Sequence, residues 1–279
     1  MFDAKTVHRW NTDPVTYPWQ SPYAINNNNP ILYADPTGQS GELSIDNKSK
    51  TMTISSNVYI YGNKASKGLA QQLQDNVNNQ YNEFNHKVRL NVNGKAVENY
   101  NLKFDIKVIY NPNITEQEII SNTDIKNNYF AVVDDISPYR SDGDNTSFTD
   151  GVYGGSNSGM LLYDQIKDPK STTFAHELGH GFGLWKGKIG EDVDDTGHPW
   201  NMDLRGKQPN IMAIPMSIFG TSTKVDKQYQ NKYGLLDINK RKVTADDIKN
   251  MFMIPIQINN GKANIGDIVN NPHLQKIRK

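Results

Sequence analysis

Residues 176–180 read His-Glu-Leu-Gly-His, the string in this chain with the most specific chemistry. Two histidines four apart on a helix lie roughly 40° apart around its axis, so both imidazoles can reach one metal ion. Glu177 lies about 60° from His180, near enough to hold a water on that ion without becoming a ligand. The chemistry is hydrolytic. Zinc lowers the pKa of a bound water toward ~7 and polarises a carbonyl, and Glu177 would accept the water's proton and pass it to the leaving amine. A peptide bond is the substrate this arrangement suits best. Phe174, Leu178 and Phe182 recur on the opposite side of the helix, which is therefore expected to bury that side and turn its histidines toward a cleft.

Positioning such a trio needs a helix with defined ends. Asp168-Pro169 offers an N-cap and an N1 proline, and Gly181 and Gly183 offer a stop. Upstream, residues 57–62 (NVYIYG) read as a short strand. From 65 to 85, Leu69, Leu73, Val77, Tyr81 and Phe84 recur at three- and four-residue steps, which predicts an amphipathic helix. Residues 87–94, 101–112, 129–135 and 159–164 read as further strands. Residues 154–164 are expected either to form a sheet edge beside the cleft, able to pair with an extended substrate, or to be an ordinary glycine-rich hairpin. After the histidine helix comes a loop of about 25 residues rich in Gly, Asp and Pro. Helices are expected again at 225–233 and 244–252. The order gives an α/β (α+β) fold with a twisted mixed sheet.

The balance of the chain excludes several classes. Its 279 residues carry 30 basic and 30 acidic side chains, so no strong field draws it to nucleic acid or an anionic membrane. No apolar run approaches the 18 or so residues of a membrane span. Cysteine is absent, which removes disulfides, thiolate zinc sites and cysteine nucleophiles together. The first 14 residues contain no apolar signal-peptide core.

The extended string HELGHGFGL, with Gly183 three residues after the second histidine, resembles the HExxHxxGxxH pattern of metzincin zinc peptidases. Asn210-Ile211-Met212-Ala213 resembles that family's Met-turn, in which Met212 would form a floor beneath the metal; an ordinary core methionine is the alternative. The resemblance spans about residues 55–215 and implies a metzincin-like sheet with an active-site helix and C-terminal helices. The chain departs from the family where a third ligand belongs, because Lys186 stands there and a protonated lysine cannot bind zinc. Either another side chain completes the site or the site is impaired. Replacements lie on the following loop: His198 first, then Asp194, Asp195 and Asp192. The same loop supports a calcium reading, with Asp192, Asp194, Thr196, Gly197 and Asp203 at positions 1, 3, 5, 6 and 12 of an EF-hand-like loop; a solvated acidic loop is the plainer alternative.

The first 40 residues have prolines, aromatics and turn pairs but no helical rhythm. Ser21-Pro22-Tyr23, Asn28-Asn29-Pro30, Tyr33 and Asp35-Pro36-Thr37-Gly38 resemble the conserved end of the core in bacterial RHS/YD-repeat proteins. In that family a variable toxin follows the junction. The resemblance implies an RHS-core-like segment at 1–40, a linker at 41–54 and a metallopeptidase-like toxin domain at 55–279. It also implies an immunity protein and an RHS shell as partners, and secretion or delivery into target cells. The chain is then expected to be a C-terminal fragment or an orphan cassette. Two rival expectations remain: a catalytically impaired binding or adhesion module stabilised by zinc or calcium, and an ordinary secreted metallopeptidase.

Overall fold

The computed structural model describes residues 2–3, 8–9, 39–92, 95–139, 144–150, 156–184, 202–215, 222–251, 261–266 and 273. The chain divides into two compact units, Met1–Pro36 and Thr37–Lys279. In the first, β1 (Phe2–Asp3) and β2 (His8–Arg9) pair antiparallel, Phe2 opposite Arg9. The string from Ser21 to Gly38 lies outside the described residues.

The second unit is a mixed α/β structure on one curled, eight-stranded sheet. In chain order its elements are β3 (Gln39–Asp46), β4 (Thr51–Tyr61), α1 (Lys67–Asn82), β5 (Lys87–Val92), β6 (Lys95–Tyr110), α2 (Glu116–Ile120), β7 (Asn127–Val133), β8 (Phe148–Thr149), β9 (Ser158–Leu162), α3 (Tyr163–Ile166), α4 (Thr173–Gly181), α5 (Ala245–Met251) and β10 (Lys262–Gly266).

Strand β4 is the spine. Along it Met52, Ile54, Ser56, Val58 and Ile60 alternate inward, the period of two that a strand requires. One edge of β4 pairs with β6 in parallel from Thr51 to Ile60. The other is shared: β3 runs antiparallel along residues 51–55, then β7 runs parallel along residues 57–61. At this fork buried polar groups replace the missing ladder. Ser56 Oγ donates to Ser40 O (3.0 Å), Ser40 Oγ to Ser156 O (2.6 Å), and Asn128 Nδ2 to both Ser40 O and Ser56 Oγ (2.9 Å each). Beyond β7 come β9 and then β8, while β10 flanks β3.

Helix α1 starts at Ser66, whose side chain accepts from Leu69 N, and buries Leu69, Leu73, Val77 and Tyr81 against the sheet. Its neighbouring face does something composition did not suggest. Gln74, Asn78 and Asn82, one per turn, hydrogen-bond the backbone of β6. Asn78 pairs with both N–H and O of Ile106 (3.0 and 2.6 Å), Asn82 with both groups of Phe104 (2.9 Å each), and Gln74 Oε1 accepts from Val108 N (3.0 Å). These amides stand in for a strand where β5, paired with β6 only up to Asn101, has ended. A sheet edge left bare would expose unpaired peptide groups.

Several expectations need correction. The stretch 41–54, expected as a linker, supplies β3 and the start of β4: Leu43 and Ile45 face one way, as do Met52 and Ile54, and the polar residues between them are the outward half of a strand pattern. Strand β9 is internal, between β7 and β8, so the two-residue β8 forms the edge. Of 225–233 only a single 3-10 turn, Lys227–Tyr229, is helical. The histidine helix begins at Thr173 because Asp168 accepts from Lys170 N (2.8 Å) in a tight turn that ends before the helix.

Candidate metal centre

Helix α4 lies on the face of the sheet that also carries α1, and Phe174, Leu178 and Phe182 join the core shared with Tyr81, Phe104 and Phe130. The helix was expected to show one face to a cleft; instead all nine of its residues are buried. His176 (5% exposed), Glu177 (6%) and His180 (8%) are nearly inaccessible. Burial of three polar side chains on one helix demands partners.

Those partners define the site. The rings of His176 and His180 lie edge to face, 4.8 Å between centroids and 86° between planes, as expected for imidazoles on successive turns. His176 Nδ1 is 2.8 Å from the carbonyl oxygen of Ile211 and 3.0 Å from Arg241 NH1. Thr149, on the edge strand β8, lies with its hydroxyl 2.7 Å from Glu177 O and 3.1 Å from Glu177 Oε2. The one hydroxyl proton is nearest the backbone carbonyl, with the carboxylate as the longer second acceptor, so the edge strand is tied to the helix at Glu177.

The helix ends as the glycines required. Gly183 has φ of 66°, a left-handed conformation that a side chain would strain. Gly183 N bonds to His180 O (3.0 Å) and Leu184 N to Gly179 O (2.9 Å), the paired contacts of a Schellman stop. Met212 lies directly under the helix: a Cβ built on Gly179 would be 2.7 Å from Met212 Sδ and 3.1 Å from Leu184 Cδ1. Met212 is fully buried and belongs to the main core, a placement common to both expectations for it, metal floor and ordinary core methionine.

A buried charged pair from the C-terminal part locks this turn. Arg241 donates from Nε to Thr172 Oγ1 (3.0 Å) and Ile238 O (3.1 Å), and from NH1 to Ala213 O (3.0 Å). Burial pulls its guanidinium down to about 10, opposed by the carboxylates of Glu177 and Asp247. Asp247 Oδ2 accepts from Ile211 N (3.2 Å), Thr244 N (2.7 Å) and Thr244 Oγ1 (2.9 Å). Burial raises that carboxyl to about 6 despite these bonds. Arg241, Asp247 and Thr149 escaped the sequence reading. The pattern Thr244-x-x-Asp247 is a helix-capping signature that does flag Asp247; nothing local flags the other two.

Among the described residues no group of three or more His, Cys, Asp or Glu side chains is arranged to hold a metal. The expected third ligands, His198, Asp194, Asp195 and Asp192, and the displaced position Lys186 lie outside the described residues, as do Thr196 and Gly197 of the calcium reading. Asp203, the last member of that reading, is exposed and paired with Arg205, which holds its carboxyl well below the usual range. The donor chemistry on α4 fits zinc. A carbonyl against Nδ1 is the usual support of a ligating histidine, in which case Nε2 would be the nitrogen that meets a metal.

No family model, curated protein or solved structure matches this chain.

Proposed function

We propose that the unit Thr37–Lys279 is a zinc-dependent endopeptidase of metzincin-like design and that, with the leader string Ser21 to Gly38, it acts as a bacterial toxin effector. One observation supports the peptidase reading above all. His176 and His180 lie ring to ring on a buried helix, with Met212 packed beneath it and a backbone carbonyl against His176 Nδ1.

His176 and His180 would hold the zinc, with His198, Asp194, Asp195 or Asp192 completing the set. Zinc bound there supplies Lewis acidity toward a peptide carbonyl and eases ionisation of water. Glu177 takes the proton of the attacking water and returns it to the amine nitrogen as the C–N bond breaks. Thr149 ties the edge strand to the helix at Glu177, and Met212 with Leu184 keeps water from the underside of the helix.

The toxin assignment rests on the leader string alone. It carries with it an immunity protein, an RHS shell and delivery into target cells. Calcium on the loop from Asp192 to Asp203 remains a separate proposal. One observation favours a second reading, a metal-stabilised binding or adhesion module: every residue of α4 is buried, and structural zinc sites are closed whereas catalytic ones keep an open position.

Cleavage of an unfolded protein substrate by the zinc-loaded chain separates the two readings. Glu177→Gln should retain one zinc and lose cleavage by about 10²–10⁴-fold. Equal cleavage by both proteins would overturn the peptidase mechanism. A wild-type protein that holds zinc and cleaves nothing would favour the binding module.

A further inference from the structure

Strand β5 has an open edge. Among the described residues only β6 pairs with it, Lys87 opposite Asn101 and Arg89 opposite Asn99. Leu102 N donates to His86 O (2.8 Å), so His86 turns its carbonyl toward β6. That orientation alternates along an antiparallel strand, so Lys87 and Arg89 turn their N–H and C=O groups to the open side. Such an edge is a template for a further strand. Beside it, between β5 and α5, lies a cleft of about 870 Å³. Phe84, Val88 and Ile248 supply its apolar surface. Lys87, Arg89 and Lys249 also line it, and no acidic residue does. None of these three cations has a carboxylate partner among the described residues, and Glu83, next to Phe84 in the chain, is already paired with Lys242. In a chain whose 30 basic and 30 acidic residues cancel, this cleft is a local concentration of positive charge.

We propose that this cleft docks an extended acidic segment of a partner protein, added as a strand on the open edge of β5. The site is separate from the histidine helix and does not depend on the peptidase reading. Side chains of an added strand alternate between two faces. On one face they meet Lys87 and Arg89; on the other they meet Val88 and Ile248, which belong to one apolar cluster. The segment that fits therefore alternates carboxylates with apolar residues. Main-chain bonds to β5 supply the grip, and the alternation selects the partner. Lysine on an edge strand also discourages pairing between copies of the same chain. Protection of that kind needs neither the cleft nor Lys249, which faces the strand from α5.

The test uses the full chain and a short fluorescein-labelled peptide in which Glu alternates with Val and Phe. Fluorescence anisotropy should show saturable binding. Replacing both cations of the strand, Lys87→Gln with Arg89→Gln, removes two cross-strand pairs of opposite charge and should weaken binding by about 2–30-fold. Both side chains are exposed, so the double variant should melt as the wild type does. Two further peptides, N-methylated at every odd or every even amide, separate strand addition from simple charge attraction. Only one set of amides faces β5, so one of the two should lose binding and the other keep it. No binding by the unmodified peptide overturns the proposal. Equal binding by both methylated peptides, or affinity unchanged in the double variant, makes the cleft a site for a small anionic or apolar molecule and overturns it too. Light scattering covers the remaining occupant: a wild-type dimer that excludes the peptide would place a second copy on this edge. Self-association of the double variant without peptide binding would assign the charges to protection alone.

Discussion

Gly179 is the point where the helix and the methionine beneath it meet, and adding one methyl group there tests that contact. In Gly179→Ala the new carbon would lie 2.7 Å from Met212 Sδ, 3.1 Å from Leu184 Cδ1 and 3.4 Å from Tyr81 Oη. Tyr81 cannot retreat freely, because its hydroxyl already donates to Ala175 O at 2.9 Å. Leu184 is fully buried, which leaves Met212 as the group that must shift. Overpacking of this kind costs about 1–3 kcal/mol, and alanine's better helix propensity returns at most about 1 kcal/mol. With the full return the net loss is about 0–2 kcal/mol, a fall in Tm of up to about 8 °C for a unit this size. Scanning calorimetry of four proteins, wild type, Gly179→Ala, Met212→Ala and the double variant, closes the cycle. Met212→Ala alone should cost about 2–5 kcal/mol by leaving a cavity. The added methyl partly fills that cavity, so the double variant should cost at least about 1 kcal/mol less than the two single losses together. Strict additivity in this cycle refutes the placement of Met212 under the helix.

Two further outcomes follow from the buried groups. Asp247 has its carboxyl raised from 3.8 to about 6, so the folded state holds this proton more tightly than the unfolded chain. Its stabilising contribution is therefore complete below pH ~4 and is lost as pH rises through about 6, an effect of at most about 3 kcal/mol. Asp247→Asn cannot titrate, so its Tm relative to wild type should improve between pH 4 and 7.5; parallel Tm curves would contradict this. Thr149→Val, which keeps the shape but removes the donor to Glu177, should cost about 1–2 kcal/mol and lower kcat while leaving zinc content unchanged. An unaltered kcat would show that this tie to the edge strand does not position Glu177.

What the sequence could tell follows the range of each signal. Helix α1 was legible because Leu69, Leu73, Val77 and Tyr81 repeat within one element, and the stop at Gly183 because a left-handed residue favours glycine locally. The stretch 41–54 reads as a linker since Ser, Thr, Asn and Lys between its apolar residues resemble loop composition; only the alternation of Leu43 with Ile45 and Met52 with Ile54 marks it as strand. Asp168-Pro169 imitated a helix start but served a turn four residues too early. Arg241 reaches His176 across 65 positions, and Thr149 reaches Glu177 across 28. Neither contact has a local period or motif, because each exists only once the sheet has brought distant segments together. The amides of α1 that close the edge of β6 were likewise hidden: Gln74, Asn78 and Asn82 look like an ordinary solvated face until the strand beside them ends.

The most direct measurement is the position of the metal itself. A crystal of the zinc-loaded chain, recorded on both sides of the zinc absorption edge, should show one anomalous peak about 2.0–2.1 Å from Nε2 of both His176 and His180. Zinc bound elsewhere with those two imidazoles bare, or no peak at equimolar zinc, contradicts the account.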